Sequence, residues 1–224
     1  MNLKRKSEKG KIFSLKFLIY DIVKWTGAPS ALLFIRPSVR YVNKESFKKL
    51  KGGYIISSNH LQFLDPVILH CVFPLRRIFF IAMEKMFETP FKAWFFRNIN
   101  CIEVNRENTG VETIRASGEV LQDGRVLCIF PEGHISQNEQ TAAFRPGCAM
   151  ISLLNNAPVL PVRLVKRKSL WKCTRIIVGE PVYPEDVLGE DRSIMGIEKL
   201  NRVLYEKEQE LCRYENNKEN KQYG

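Results

Sequence analysis

The chain has 224 residues, 45% of them hydrophobic, with 35 Lys and Arg against 24 Asp and Glu and a formal net charge of +11. That apolar content excludes a disordered chain, and the length suits one domain with a full core or one domain plus an appendage. The basic excess points to an anionic partner (a phospholipid surface, a nucleic acid or a phosphorylated substrate), while six Cys without a C-x-x-C pair read as buried, reduced thiols rather than a disulfide framework.

Residues 1–11 form a basic leader with Lys4, Arg5, Lys6, Lys9 and Lys11. Residues 12–35 are largely apolar and aromatic, but Lys16, Asp21 and Lys24 interrupt them and Gly27-Ala28-Pro29-Ser30 cuts them in two. A spanning helix needs about 20 apolar residues with few charges. The stretch therefore predicts two short helices lying in a membrane interface, with basic residues meeting anionic headgroups. A helical hairpin packed on the domain's own core is the other reading. No signal peptide is evident, because charge breaks the apolar run and a small-residue cleavage site is missing.

A first strand is predicted over 53–58, running into Asn59-His60-Leu61-Gln62-Phe63-Leu64-Asp65-Pro66. Asp as N-cap and Pro at the first helical position predict a short helix from there. Residues 77–82 read as a buried strand, and 83–98 as an aromatic, basic stretch broken at Pro90. Its Met83, Met86, Phe87, Phe91, Trp94, Phe95 and Phe96 suit a core, an acyl-chain groove or contact with a membrane. A strand over 100–104 ends at Asn105-Arg106, a helix covers 108–121, and a strand over 125–130 runs into Pro131-Glu132-Gly133-His134-Ile135-Ser136. Phe144-Arg145-Pro146-Gly147 leads into a helix over 148–155. Strands follow over 159–165 and 174–178, and a charged amphipathic helix over 191–214. Strands alternating with helices predict an α/β fold: a single mixed sheet flanked by helices, with an N-terminal apolar and basic helical segment for membrane contact. The expected organisation is a membrane-associating segment over 1–40, a catalytic domain over 41–215 and a polar tail over 216–224.

His60 and Asp65 lie five residues apart, which on one helix is about 140° around the axis and out of reach. Across a strand-to-helix turn they can meet. A carboxylate bonded to one ring nitrogen fixes the His tautomer and leaves the other nitrogen to take a proton. With no obvious Ser or Cys nucleophile beside it, such a pair suggests a base that activates the substrate's own hydroxyl. The plainer reading is a helix cap next to a turn His.

Four segments recur in order: Asn59-His60-(x4)-Asp65, residues 101–106, residues 130–136 and residues 157–162. Together they resemble the glycerophospholipid acyltransferase family, typified by 1-acylglycerol-3-phosphate acyltransferases, over roughly residues 40–185. Phe144-Arg145-Pro146-Gly147 and Val178-Gly179-Glu180-Pro181 resemble two of its further elements. The resemblance implies transfer of a fatty acyl group from acyl carrier protein or coenzyme A to a lysophospholipid hydroxyl, with no bound cofactor or metal. It implies His60 as general base and Asp65 as its orienter. Asn59, Arg106, Glu132, Gly133, Ser136 and Arg145 would bind substrate, Arg106 at the acceptor phosphate. The N-terminal segment and the basic charge lead to the expectation of attachment to the cytoplasmic face of a membrane containing anionic phospholipid.

The third segment departs from the family's Glu-Gly-Thr-Arg-Ser: Ile135 stands where the family has Arg. One phosphate contact is then missing, to be supplied by His134, Arg145 or Arg163, or else the acceptor is another lysolipid or an amino-acid-linked lipid. Other classes fit less well. The basic residues form no nucleic-acid module. His60, His70 and His134 lack metal-binding spacing, and no G-x-S-x-G is present.

Overall fold

The computed structural model describes residues 18–104, 110–136, 143–165 and 173–220. Seven strands form one sheet in the order β1-β7-β6-β2-β5-β3-β4: β1 Ser38–Tyr41, β2 Tyr54–Ser58, β3 Ile78–Met83, β4 Cys101–Val104, β5 Val126–Ile129, β6 Val159–Leu164 and β7 Arg175–Val178. All neighbours are parallel except β6 and β7, so β1 and β7 run against the other five and the sheet is mixed. β2 and β5 are buried along their whole length, as central strands covered on both faces are.

One face of the sheet is covered by α1 Leu18–Ile35, α2 Lys44–Lys49 and α3 Asp65–Val72, around Ile56, Ile68, Leu69, Phe80 and Val162. The other is covered by α5 Val111–Gln122, α6 Gly147–Asn155, α7 Pro184–Leu188 and α8 Ile194–Asn220, around Ile55, Leu127, Ile151, Leu200 and Leu204. A 3-10 turn at Glu84–Phe87 and α4 Pro90–Asn98 lie between β3 and β4, and Pro90 breaks this stretch where the sequence indicates.

Some expectations need correction. The two short N-terminal helices are, over the described residues, one helix: α1 runs through Gly27 and Pro29. Ties to the body hold it. Tyr20 and Asp21 are buried, Arg77 reaches Asp21 at 2.7 Å, and the Lys24 ammonium donates to the Arg76 carbonyl at 2.8 Å. Such tertiary packing outweighs the weak local helix preference of Gly and Pro. No described helix is long and apolar enough to cross a membrane. The leader and Arg106 lie outside the described residues. Asp65 is the first residue of α3 rather than its cap; Leu64 precedes the helix and no side chain caps it. Of the thiols, Cys71, Cys128 and Cys148 are buried, but Cys173 is exposed and Cys101 and Cys212 are half-buried.

Candidate active site

β2 and β5 lie side by side and point the same way, so the segments that follow them, residues 59–64 and 130–136, leave the sheet together at its carboxyl edge. That edge is where open parallel sheets hold ligands. The Ser136 N–H ties the two segments together by donating to the His60 carbonyl at 2.7 Å, and within its own segment the Ser136 hydroxyl donates to the Glu132 carboxylate.

Asp65 has only 1% of its surface exposed, and its Oδ2 accepts three hydrogen bonds. They come from the Leu61 N–H at 2.6 Å, the Gln62 N–H at 2.9 Å and His60 Nδ1 at 2.8 Å. The carboxylate thus folds the turn back on itself and places the imidazole by the same atom. Its Oδ1 is buried without a partner among the described residues. The His60 ring stacks on Phe130, with centroids 4.1 Å apart and planes 17° from parallel. With Nδ1 facing the carboxylate, the opposite nitrogen is the one left for a substrate proton.

His60 borders a mainly apolar pocket of about 980 Å³. Phe63, Leu64 and Val67 line it beside His60, Met83, Met86, Phe95 and Phe96 line it from the aromatic stretch, and Tyr20, Lys24 and His70 from α1 and α3. The stretch over 83–98 is therefore divided: four residues face the pocket, Phe87 is buried, and Phe91 and Trp94 stand exposed. Burial and the Nδ1 contact with the Pro66 carbonyl at 2.8 Å frame His70, whose pKa desolvation lowers to about 4. Desolvation also brings Lys24 down to about 8 and pushes the pocket thiols Cys101 and Cys148 up to about 12, so these thiols are neutral and poor nucleophiles near pH 7.

The third segment brings Gly133, His134 and Ile135 to the pocket, together with Arg145. Gly133 has φ +72°, and a side-chain carbon there would meet Arg145 Nε at 3.0 Å. The Arg145 N–H donates to the Pro131 carbonyl at 2.9 Å, which fixes this approach. The Gly133 N–H donates to the Phe130 carbonyl at 3.0 Å and so is already used within the segment. Glu132 is buried behind the pocket with Ser136 as its partner. Asn59 has another use: its amide accepts from the Leu164 N–H at 2.7 Å and donates to the Leu164 carbonyl at 2.9 Å, pinning the end of β2 to β6. Arg163 is ruled out as a substitute phosphate contact. Its side chain is 4% exposed and held by Glu208 and Glu215 of α8, each at 3.1 Å. Among the described residues no group of three or more His, Cys, Asp or Glu is placed to hold a metal ion.

Sequence reasoning missed Phe130 as the surface under His60 and the contribution of α1 to the pocket. The first was signalled only by an aromatic at a strand end. The second had no local signal, since Tyr20 and Lys24 sit in a stretch that also reads as interfacial.

Residues 38–165 match the family model described as Acyltransferase. The chain is 26% identical to the 1-acyl-sn-glycerol-3-phosphate acyltransferase of Bacillus subtilis over 192 residues, covering 82% of this chain and 95% of that one. It is 27% identical to a probable enzyme of the same name from Mycoplasma pneumoniae and 28% identical to that of Borreliella burgdorferi, covering 61% and 54% of this chain and about half of each relative. Among solved structures, the 1-acyl-sn-glycerophosphate acyltransferase of Thermotoga maritima superposes with a TM-score of 0.62 at 21% identity, over 89% of this chain and 81% of that one. That likeness shows a shared fold.

Proposed function

We propose, from the premise that this chain belongs to the acyltransferase family, that it transfers a fatty acyl group from a thioester to the free hydroxyl of 1-acylglycerol-3-phosphate, giving phosphatidic acid. The observation that carries this reading is the His60–Asp65 pair, 2.8 Å apart, at the border of an apolar pocket large enough for a lipid chain. His60 Nε2 takes the proton from the acceptor hydroxyl as its oxygen attacks the thioester carbonyl. Asp65 holds the tautomer and balances the imidazolium that forms. The tetrahedral oxyanion collapses, the carbon–sulfur bond breaks, and the proton returns to the departing thiolate. No acyl-enzyme forms. The donor is an acyl carrier protein or coenzyme A thioester.

Arg145, which lines the pocket beside Gly133, is assigned to the oxyanion or the acceptor phosphate. Arg106 is assigned to the acceptor phosphate. Glu132 and Ser136 act by holding the third segment against the His60 turn. The catalytic domain is placed over 41–215, with residues 1–40 associating it with the cytoplasmic face of an anionic membrane.

A second reading has support from Ile135, which borders the pocket with 45% of its surface exposed where an Arg would bind phosphate. An acceptor with another headgroup, including an amino-acid-linked one, fits an apolar side chain there. The test is acyl transfer from a labelled thioester to a panel of lysolipids, wild type beside His60→Ala. The variant should fall by at least about 100-fold, the low end for a general base, while remaining folded. Retained activity in the variant defeats the mechanism, and preference for another lysolipid moves the acceptor while leaving the chemistry in place.

A further inference from the structure

The described surface carries large apolar side chains that the fold does not cover. Two groups stand next to the pocket. Phe63, Leu64 and Ile135 both line it and face solvent, with 67%, 55% and 45% of their surfaces exposed. On α4, Phe91 and Trp94 lie one turn apart, with rings 6.0 Å from each other and 72% and 51% exposed. Neither lines the pocket, yet Phe95 and Phe96 of the same helix do, as does Ile99 just past its end. One side of α4 thus builds the pocket while the neighbouring side offers an aromatic pair to solvent. A single exposed Leu or Phe means little, but clustered exposed aromatics bordering an apolar pocket mark an interaction site.

We infer that Phe91 and Trp94, with the apolar rim at Phe63, Leu64 and Ile135, form a membrane-docking surface that seats the pocket mouth against the bilayer, separately from residues 1–35. The occupant is a bilayer containing anionic lipid. Lys92 lies between the two aromatics in sequence and Lys85 on the turn before α4; both are exposed and have no ion-pair partner among the described residues, and the chain as a whole carries +11. Aromatic side chains beside basic ones suit the headgroup boundary, where the ring enters the acyl region and the charge meets phosphate. The rim at Phe63, Leu64 and Ile135 also lines the pocket, so a lipid moves between bilayer and pocket without its chain crossing water. The inference rests on the acyl-transfer reading for its purpose but not for its test.

The experiment uses the full chain and vesicles of phosphatidylglycerol and phosphatidylcholine, with brominated lipid as a contact quencher. In a protein with Trp25→Phe and Trp171→Phe, Trp94 is the sole indole. It should shift to shorter wavelength and be quenched when vesicles are added. Phe91→Ser with Trp94→Ser should weaken vesicle binding by about tenfold or more, the expected effect of losing two buried aromatic rings. The same double variant should act as the wild type does on short-chain, monomeric substrates. Unquenched Trp94 in protein that has sedimented with the vesicles overturns the inference. Equal loss on monomeric and vesicle substrates overturns it too, since that would be a folding or pocket defect. Failure of acyl transfer in every format would instead strike the proposed function and leave the quenching result standing.

Discussion

Asp65→Asn separates two jobs that one carboxylate does. Oδ2 receives the Leu61 and Gln62 N–H groups at 2.6 and 2.9 Å besides His60. Two backbone donors on one atom dictate which way an Asn must sit: its carbonyl oxygen takes the Oδ2 place, since an NH2 there would face two N–H groups. His60 then keeps an acceptor at Nδ1 and so keeps the useful tautomer. What goes is the charge opposite the imidazolium in the transition state. A hydrogen bond to a charged group is worth about 1.5–3 kcal/mol and a neutral one about 0.5–1.5 kcal/mol, so with the added loss of ion pairing the barrier should rise by roughly 2–4 kcal/mol. That is a fall in kcat of about 30- to 1,000-fold with KM little changed. The Leu61 and Gln62 N–H groups also exchange a charged acceptor for a neutral one, so unfolding should become easier by about 1–3 kcal/mol. Steady-state acyl transfer and chemical denaturation measure the two effects. Activity within threefold of wild type would refute the role of Asp65. A loss beyond about 10,000-fold would show that the tautomer had flipped and that the two backbone donors do not orient the amide.

Two further variants test the surroundings of the pair. Gly133→Ala puts a side chain at φ +72° and 3.0 Å from Arg145 Nε, which should cost about 1–2 kcal/mol and lower Tm by a few degrees, with activity falling further than the stability loss because Arg145 is displaced; an unchanged Tm and turnover would remove the Gly133–Arg145 contact from the site. His70 has a folded pKa of about 4 against 6.5, so the folded chain binds fewer protons than the unfolded one between those values and loses stability as pH falls through that window. The loss is at most about 3 kcal/mol. His70→Phe should remove it, seen as a smaller difference in denaturation midpoint between pH 7 and pH 4.5 than the wild type shows; identical pH dependence would mean that other groups carry the acid sensitivity.

How much of this was legible depended on whether a feature is local. The His60–Asp65 contact could be read from sequence, because a buried apolar run, a turn and Asp-Pro all fall within a dozen residues, and each constrains the next. The helix of α1 could not, because ties from Asp21 to Arg77 and from Lys24 to Arg76 override Gly27 and Pro29 from more than 50 residues away. β1, α2 and α7 were missed because 4 to 6 residues are too few to show a period. Arg163 and Arg145 looked alike in sequence. Only the pairing of β6 with β2 and the packing of α8 turn the first toward Glu208 and Glu215, while the approach to Gly133 brings the second to the pocket.

The pocket itself makes the same point in chemical terms. Its walls come from α1, the His60 turn, β3, α4, the segment after β5 and α6, elements that span most of the chain. A base can be specified by two residues and a turn. A chain-binding cavity needs residues that meet only once the sheet has formed, and two of its polar members, Lys24 and His70, are depressed in pKa because those same walls exclude water. Acyl-chain preference should therefore respond to substitutions on α1 as readily as to those beside His60, since both border one space.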